Sequence, residues 1–379
     1  MKAARPVHGQ LPRRWRRPAG RLAAVVALAL LGLAGAAAAQ RPRPAVADEV
    51  VMASQAPRLL SEFRFFRDAA AREPNARVTP YDLNTPLYSD GALKFRYVYI
   101  PPAAGPARYD GEEVFDFPVG TALIKTFAFA ADMRAPSENV RFIETRVMIR
   151  RAEGWVTLPY VWNEAQTEAR LSVIGAEAPV RFIDEAGEAV ELDWAVPNVN
   201  QCRGCHLRGD RVVPIGPNAR NLNRDLAYES GVENQLVHWF NAAMIDGLPA
   251  SRRPRAPNAY DDGDGPLAAR ARAYLDVNCA HCHNPQGPAH TSGLDLAWSQ
   301  TDPARWGVRK RPVAAGRGSA GLEFAIEPGR PERSILVHRM ASTDPGEMMP
   351  ELGRQLVDER GLALIRQWIA DMETDADAR

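Results

Sequence analysis

Leu267–His283 reads Leu-Ala-Ala-Arg-Ala-Arg-Ala-Tyr-Leu-Asp-Val-Asn-Cys-Ala-His-Cys-His. Leu267, Ala271, Tyr274 and Leu275 recur at i, i+4, i+7 and i+8, so the stretch predicts an amphipathic helix running straight into Cys279-Ala280-His281-Cys282-His283. The same spacing occurs upstream, where Val196-Pro197-Asn198-Val199-Asn200-Gln201 leads into Cys202-Arg203-Gly204-Cys205-His206. The four cysteines of the chain thus form two C-x-x-C pairs, each followed at once by histidine. With seven histidines in 379 positions, chance puts one after both pairs roughly 3 times in 10,000.

Two thiols one helical turn apart can add to the two vinyl groups of one haem, and the next residue then presents its imidazole to the iron. Three plainer readings are weaker. Disulfides in an oxidising compartment leave both histidines unexplained. A four-thiolate zinc site asks for pairs roughly 15 to 20 residues apart, whereas 73 residues separate Cys205 from Cys279. A redox-active dithiol needs a βαβ setting, which neither pair has. The expectation is two covalently bound haem c groups, one on Cys202, Cys205 and His206, the other on Cys279, Cys282 and His283.

Downstream, Asp358 is placed as an N-cap, and Leu362, Ile365, Trp368, Ile369 and Met372 form one apolar stripe. Pro331 to Met340 reads as a short helix, followed by Gly346-Glu347-Met348-Met349-Pro350-Glu351-Leu352-Gly353. This order of helix, C-x-x-C-H, variable loops, Met-Pro loop and terminal helix resembles class I cytochrome c from Pro266 to Met372. The resemblance implies that His283 is the proximal iron ligand and Met349 the distal one, with Met348 the neighbouring alternative. Such ligation fills both axial positions and suits electron transfer.

Around the first motif, Leu207 to Leu226 reads as loop and about Asn234 to Ile245 as helix, with Leu236, Phe240, Ala243 and Met244 on one side. The sixth ligand of that haem stays open between His238, Met244, Met148 and no protein group. His281, between the anchoring cysteines, should point away from iron; with His290 and His338 it is expected at the surface or in packing. Asp261 to Gly265 is read as a linker, because a twelve-residue calcium loop begun at Asp261 would end at Arg272 instead of Glu.

From about Arg77 to Asp193, alternating or aromatic-rich runs recur between turns: 94–100, 122–128, 141–150, 155–162, 169–174, 179–183 and 189–194. They predict a β-sandwich, with the charged residues of Phe142 to Arg150 facing away from the apolar ones. Tyr160 to Gln166 reads as a strand and its edge turn. Among the motifs sought, H-E-x-x-H, G-x-S-x-G and a phosphate-cradling glycine loop are all missing. The expected fold class is multidomain: a β-rich sandwich domain over 40–195, a first haem-binding module over 196–260, and a cytochrome c-like domain with the second haem over 261–379. The haem region is expected to be mainly α-helical.

Residues 1–39 carry seven Lys or Arg and no acid, then an 18-residue run from Leu22 to Ala39 made of Ala, Leu, Val and Gly. This is the pattern of an export signal cleaved near Ala39, which predicts a periplasmic protein; membrane attachment requires an uncleaved leader. The rest carries 40 basic against 46 acidic residues, a net −6, which excludes nucleic acid as a partner.

Taken together, Asn200 to His206, Pro214-Ile215-Gly216-Pro217, Asn278 to Pro285, Met348 to Gly353 and Tyr81 to Gly91 make the chain similar to a family of exported bacterial dihaem c-type cytochromes. The resemblance implies one-electron transfer with a redox partner protein, a dehydrogenase or a terminal acceptor. The alternatives are a dihaem peroxidase or oxidase with an open site at the first haem, and a ligand-binding β domain whose haems report redox state.

Overall fold

Alternation with a period of two governs the first half of the chain. A computed structural model describes residues 45–373 apart from Ala71 and Ala314, so the expected leader over 1–39 and its cleavage near Ala39 lie outside the described residues. Six strands form one antiparallel sheet in sequence order: β1 (Val78–Tyr81), β2 (Leu93–Tyr99), β3 (Ala122–Ala130), β4 (Val140–Arg151), β5 (Gly154–Trp162) and β6 (Ala169–Leu171). Tyr97, Tyr99, Ala122, Ile124, Val147, Ile149, Leu158 and Tyr160 point to one face, where Val51, Leu60, Phe63 and Phe65 cover them.

The opposite face is divided in three. At one end a hairpin of β7 (Ala176–Ile183) and β8 (Ala189–Val196) packs Val180, Phe182, Leu192 and Trp194 on Phe127, Phe129 and Ile143. At the other end Leu222, Leu236, Trp239 and Met244 cover Val98, Leu123 and Met148. Between these apolar patches the face is polar. Arg96 stands directly opposite Lys125, and Lys125 opposite Arg146, on three adjacent strands. Glu144 on the same face is fully buried; it accepts from Arg146 Nε at 3.0 Å and from Trp194 Nε1 at 2.9 Å.

This corrects the expected sandwich. The second layer is a two-stranded hairpin and not a second sheet, because an apolar layer cannot close over three cations. The chain leaving Val196 crosses this polar strip instead.

Beyond it lie α1 (Val199–His206), α2 (Gln235–Asn241), α3 (Leu267–Asn278), α4 (Ile335–Ala341) and α5 (Glu359–Ala370). The expectation of a mainly α-helical, cytochrome c-like haem region is not met. From Val199 onward seven α-helices are described, only α3 and α5 reach 12 residues, and small two-stranded sheets and long loops carry the rest. Proline and glycine punctuation breaks the segments before they can lengthen. Of the helices, α2 is shorter than expected: Ala243 takes φ 53° and ends it, leaving Trp239 buried and Phe240 exposed.

A further core joins α3, α4 and α5 through Tyr274, Leu275, Val337, Met340, Leu362, Ile365, Trp368 and Ile369. Asp358 caps α5, accepting from Gly361 N at 2.9 Å and from the Tyr260 hydroxyl at 2.8 Å. Gly361 sits where α5 crosses α3, so close that a Cβ there would overlap the Tyr274 ring.

The loop between β1 and β2 ties these parts together. Asn84 Nδ2 donates to the Arg220 carbonyl and Thr85 Oγ1 to the Pro257 carbonyl, each at 2.9 Å. Asn278 Oδ1 at the end of α3 accepts from Tyr88 N at 2.8 Å, and buried Asp90 accepts from the backbone of Gln355 and Leu356, both at 2.7 Å. Residues 45–373 accordingly belong to one compact unit.

Two substitutions test this packing. Gly361→Ala should lower stability by about 1–3 kcal/mol through overpacking against Tyr274. Glu144→Ala, which strands Arg146 and the Trp194 N–H, should cost about 3–5 kcal/mol. Urea unfolding followed by tryptophan fluorescence measures both; a loss under 0.5 kcal/mol in either would contradict the packing described.

Candidate functional site

Motif one is built on α1. Asn198 opens the helix with a reciprocal cap, its Oδ1 accepting from Gln201 N at 2.8 Å while Gln201 Oε1 accepts from Asn198 N at 2.9 Å. One turn of helix then sets Cys202 and Cys205 on the same face, with His206 as the last helical residue. His206 Nδ1 lies 2.7 Å from the Val213 carbonyl oxygen. That oxygen can only accept, and burial holds the imidazole neutral by pulling its pKa down to about 4. Nδ1 therefore carries the hydrogen, and Nε2 keeps a free lone pair.

Motif two follows α3, as its periodicity predicts. The backbone tightens over Cys279, with Cys282 N and His283 N both donating to the Cys279 carbonyl. His283 Nδ1 lies 3.0 Å from Ser292 Oγ, whose own proton goes to the Ala289 carbonyl at 2.7 Å. The hydroxyl must accept, so His283 too has its Nδ1 occupied and its Nε2 open. Burial, with His281 and Arg339 nearby, lowers its pKa to about 4. Both histidines are thus in the tautomer that a ligating imidazole needs, oriented by a partner on the other nitrogen.

The fold brings the two motifs into contact. Cys205 and Cys282 are hydrogen-bond neighbours, Cys282 Sγ reaches the Gly204 carbonyl at 3.9 Å, and Gly209 N donates to the Gln286 carbonyl at 2.8 Å. All four thiols are free. The touching pair shares its protons: Cys205 is held low by the Cys282 thiol and by His281, and Cys282 is pushed up by the Cys205 sulfur. Burial raises Cys279 to about 12.

Between α1 and the polar strip of the sheet opens a cleft with room of about 210 Å³, below the ~300–1,000 Å³ of ordinary small-molecule pockets. Cys202, Cys205 and His206 line one wall, and Lys94, Arg96, Lys125, Arg146, Leu123 and Met148 line the other. Burial and then the Arg146 and Arg96 charges bring Lys125 down to about 7.

Among the candidates for a sixth ligand, only Met148 lines this cleft. His238 stacks on Tyr228 with ring centroids 3.5 Å apart and pairs with Glu233 at 2.7 Å; Met244 is buried, with Thr79 Oγ1 at 3.4 Å from its sulfur. His281, expected at the surface or in packing, instead sits in the cleft wall beside Cys205, with a buried Nδ1 that has no partner among the described residues. His290 is exposed, and His338 lies 3.5 Å from Glu347. Met349 is half-buried in a loop pinned by its own N–H to the Arg339 carbonyl and by Arg354 Nη2 to its carbonyl, both at 2.9 Å. Pro350 and Leu352 of that loop reach the cleft, and Met348 is buried. Asp264 of the linker is taken by Arg255 at 2.7 Å.

The expected metal-binding character needs correcting together with the cytochrome-like fold: among the described residues no three His, Cys, Asp or Glu side chains are grouped so as to hold a metal ion. The donors come singly: a neutral imidazole beside a thiol pair, twice.

Sequence reasoning missed the basic side chains of the cleft, and it singled out Tyr81 to Gly91 without the role of that loop in tying the parts together. The signal was present. Lys94 and Arg96, Lys125, and Arg146 alternate with the side chains of a face that is apolar apart from the mutually hydrogen-bonded Thr126 and Thr145. Set against protein families, curated proteins and solved structures, the chain matches none of them.

Proposed function

We propose that the chain is an exported carrier of single electrons that holds two haem groups by thioether bonds, one on Cys202 and Cys205, the other on Cys279 and Cys282. The observation that carries this reading is the paired state of the two motifs: free thiols one turn apart, each followed by a neutral histidine whose Nδ1 is engaged and whose Nε2 is open. Attachment adds each S–H across a vinyl double bond, the sulfur bonding to carbon and the hydrogen going to the neighbouring carbon, with no net oxidation. The porphyrin brings its own four nitrogen donors, so the protein need supply only axial groups. That suits single imidazoles better than a cage would.

In this reading, His206 and His283 hold the proximal positions, oriented by the Val213 carbonyl and Ser292 hydroxyl. Met349 is the axial candidate at the second haem. At the first, Met148 and His281 face the cleft. When bound, haem supplies a one-electron couple at its iron. The β7–β8 hairpin and the β1–β2 loop line the cleft where the first group would sit, and the contact between Cys205 and Cys282 would keep the two attachment points close together.

Full-length protein made with the haem-attachment machinery should, after denaturation and acid-acetone extraction, keep its colour and gain the mass of two haems. Replacing Cys202 and Cys205 together by Ala should leave one. A colourless chain of unmodified mass refutes the proposal. Because the motifs touch, the wild-type potentiometric titration should depart from the sum of the two single-motif variants; an additive curve would show the haems to be independent.

A further inference from the structure

Lys94, Arg96, Lys125 and Arg146 put four cations on one patch of a sheet, inside a cleft, opposite a cysteine pair. Two of them are matched: Arg96 has Asp82 at 2.8 Å, and Arg146 holds Glu144. No ion pair to Lys94 or Lys125 is found among the described residues: Lys94 donates to the Ala92 carbonyl at 3.0 Å with the Asp90 charge nearby, and Lys125 lies over the Phe127 ring at 4.8 Å with Glu144, already held by Arg146, nearby. Like charges directly opposite across a ladder destabilise a sheet. Here Arg96–Lys125–Arg146 repeats that arrangement over three strands, away from bulk water.

A purely structural face would not be built so. Burial and the neighbouring basic groups oppose the charge of Lys94 and Lys125 in the empty cleft, and a ligand bearing two carboxylates would restore it. Apolar side chains flank them on the same wall, with Leu123 and Met148 on one side and Phe127 and Trp194 on the other. The ligand this describes is a large apolar ring system with two carboxylates at one edge, held at its other edge by thiols. We infer that Lys94 and Lys125 are the seat of the two propionates of the haem attached at Cys202 and Cys205, an inference that rests on the haem reading above and assigns to β2 and β3 a role in setting that haem's potential.

A cation held near iron favours the reduced, less positive state, so its removal lowers the potential. Full-length Lys125→Met, Lys94→Met and Lys125→Arg proteins, made with the haem-attachment machinery, should all carry two haems by mass. In each Met variant one of the two haems should become roughly tenfold harder to reduce, a fall of about 59 mV for a one-electron couple, while Lys125→Arg stays near wild type.

Haem-free full-length chain gives a second readout that survives any loss of attachment. There Lys125→Met should unfold at higher urea than wild type, since it relieves a repulsion, whereas a lysine serving the fold alone would lose stability. Two haems by mass with both potentials unmoved in both Met variants overturns the seat but leaves the haem reading standing. So does a Lys125→Met chain less stable than wild type without haem. A wild-type chain without haem overturns both.

Discussion

Three cations on three neighbouring strands, Arg96, Lys125 and Arg146, occupy the middle of a sheet face that would otherwise close with apolar side chains. Coulomb repulsion between such neighbours is weak in water and much stronger at low dielectric, so this strip resists burial under an ordinary hydrophobic layer. The rest of the architecture follows from that. The β7–β8 hairpin covers the apolar patch on one side and the α2 region covers the other. The segment carrying Cys202, Cys205 and His206 spans what is left, as the roof of a cleft. Asp82 and buried Glu144 offset part of the repulsion, and Glu144 is held in place by Arg146 and by the Trp194 N–H.

Bringing together two motifs separated by 73 residues is a second requirement, met by backbone hydrogen bonds more than by apolar contact. The β1–β2 loop reaches the first-motif region through the buried side chain of Asn84, the segment before α3 through that of Thr85, the end of α3 through the backbone N–H of Tyr88 and the approach to α5 through the buried carboxylate of Asp90. Each donor or acceptor left unmade there would cost about 1–3 kcal/mol. The loop therefore specifies one arrangement over many near-alternatives. A similar economy appears at Gly361, where only the absence of a side chain lets α5 lie against the Tyr274 ring.

Much of this was legible. Every strand expected between Lys94 and Trp194 is present, because a period of two survives wherever one face is fully apolar. The helix entering Cys279, the short helix before Met340, the Asp358 cap and the stripe on α5 are present for the same reason at a period of 3.6. What failed was inference about what lies across from a face. Charged residues of β4 were taken as facing away from the apolar ones, which is right, but that face is covered: Glu144 is fully buried. Alternation gives orientation; it does not say what packs on the second side. The helical content of the second half was overread from two strong helices. The contact between Cys205 and Cys282 was beyond reach, since it is made by a loop from the other half of the chain.

These constraints combine into a statement about when the protein is complete. Without a bound group the fold holds a cleft of about 210 Å³, two lysines outside any ion pair among the described residues and two histidines with unused lone pairs, each an unfavourable feature in a buried setting. In the proposed reading one ligand relieves all of them at the first motif, its ring filling apolar volume, its carboxylates meeting the lysines and its iron taking the imidazole. Binding that favours the folded state alone stabilises it by mass action, and a covalent ligand cannot dissociate. In that reading the strip that prevents the sheet from closing on itself would also make the fold depend on the proposed ligand, and an electrostatic cost in the empty protein would become the device that orients it.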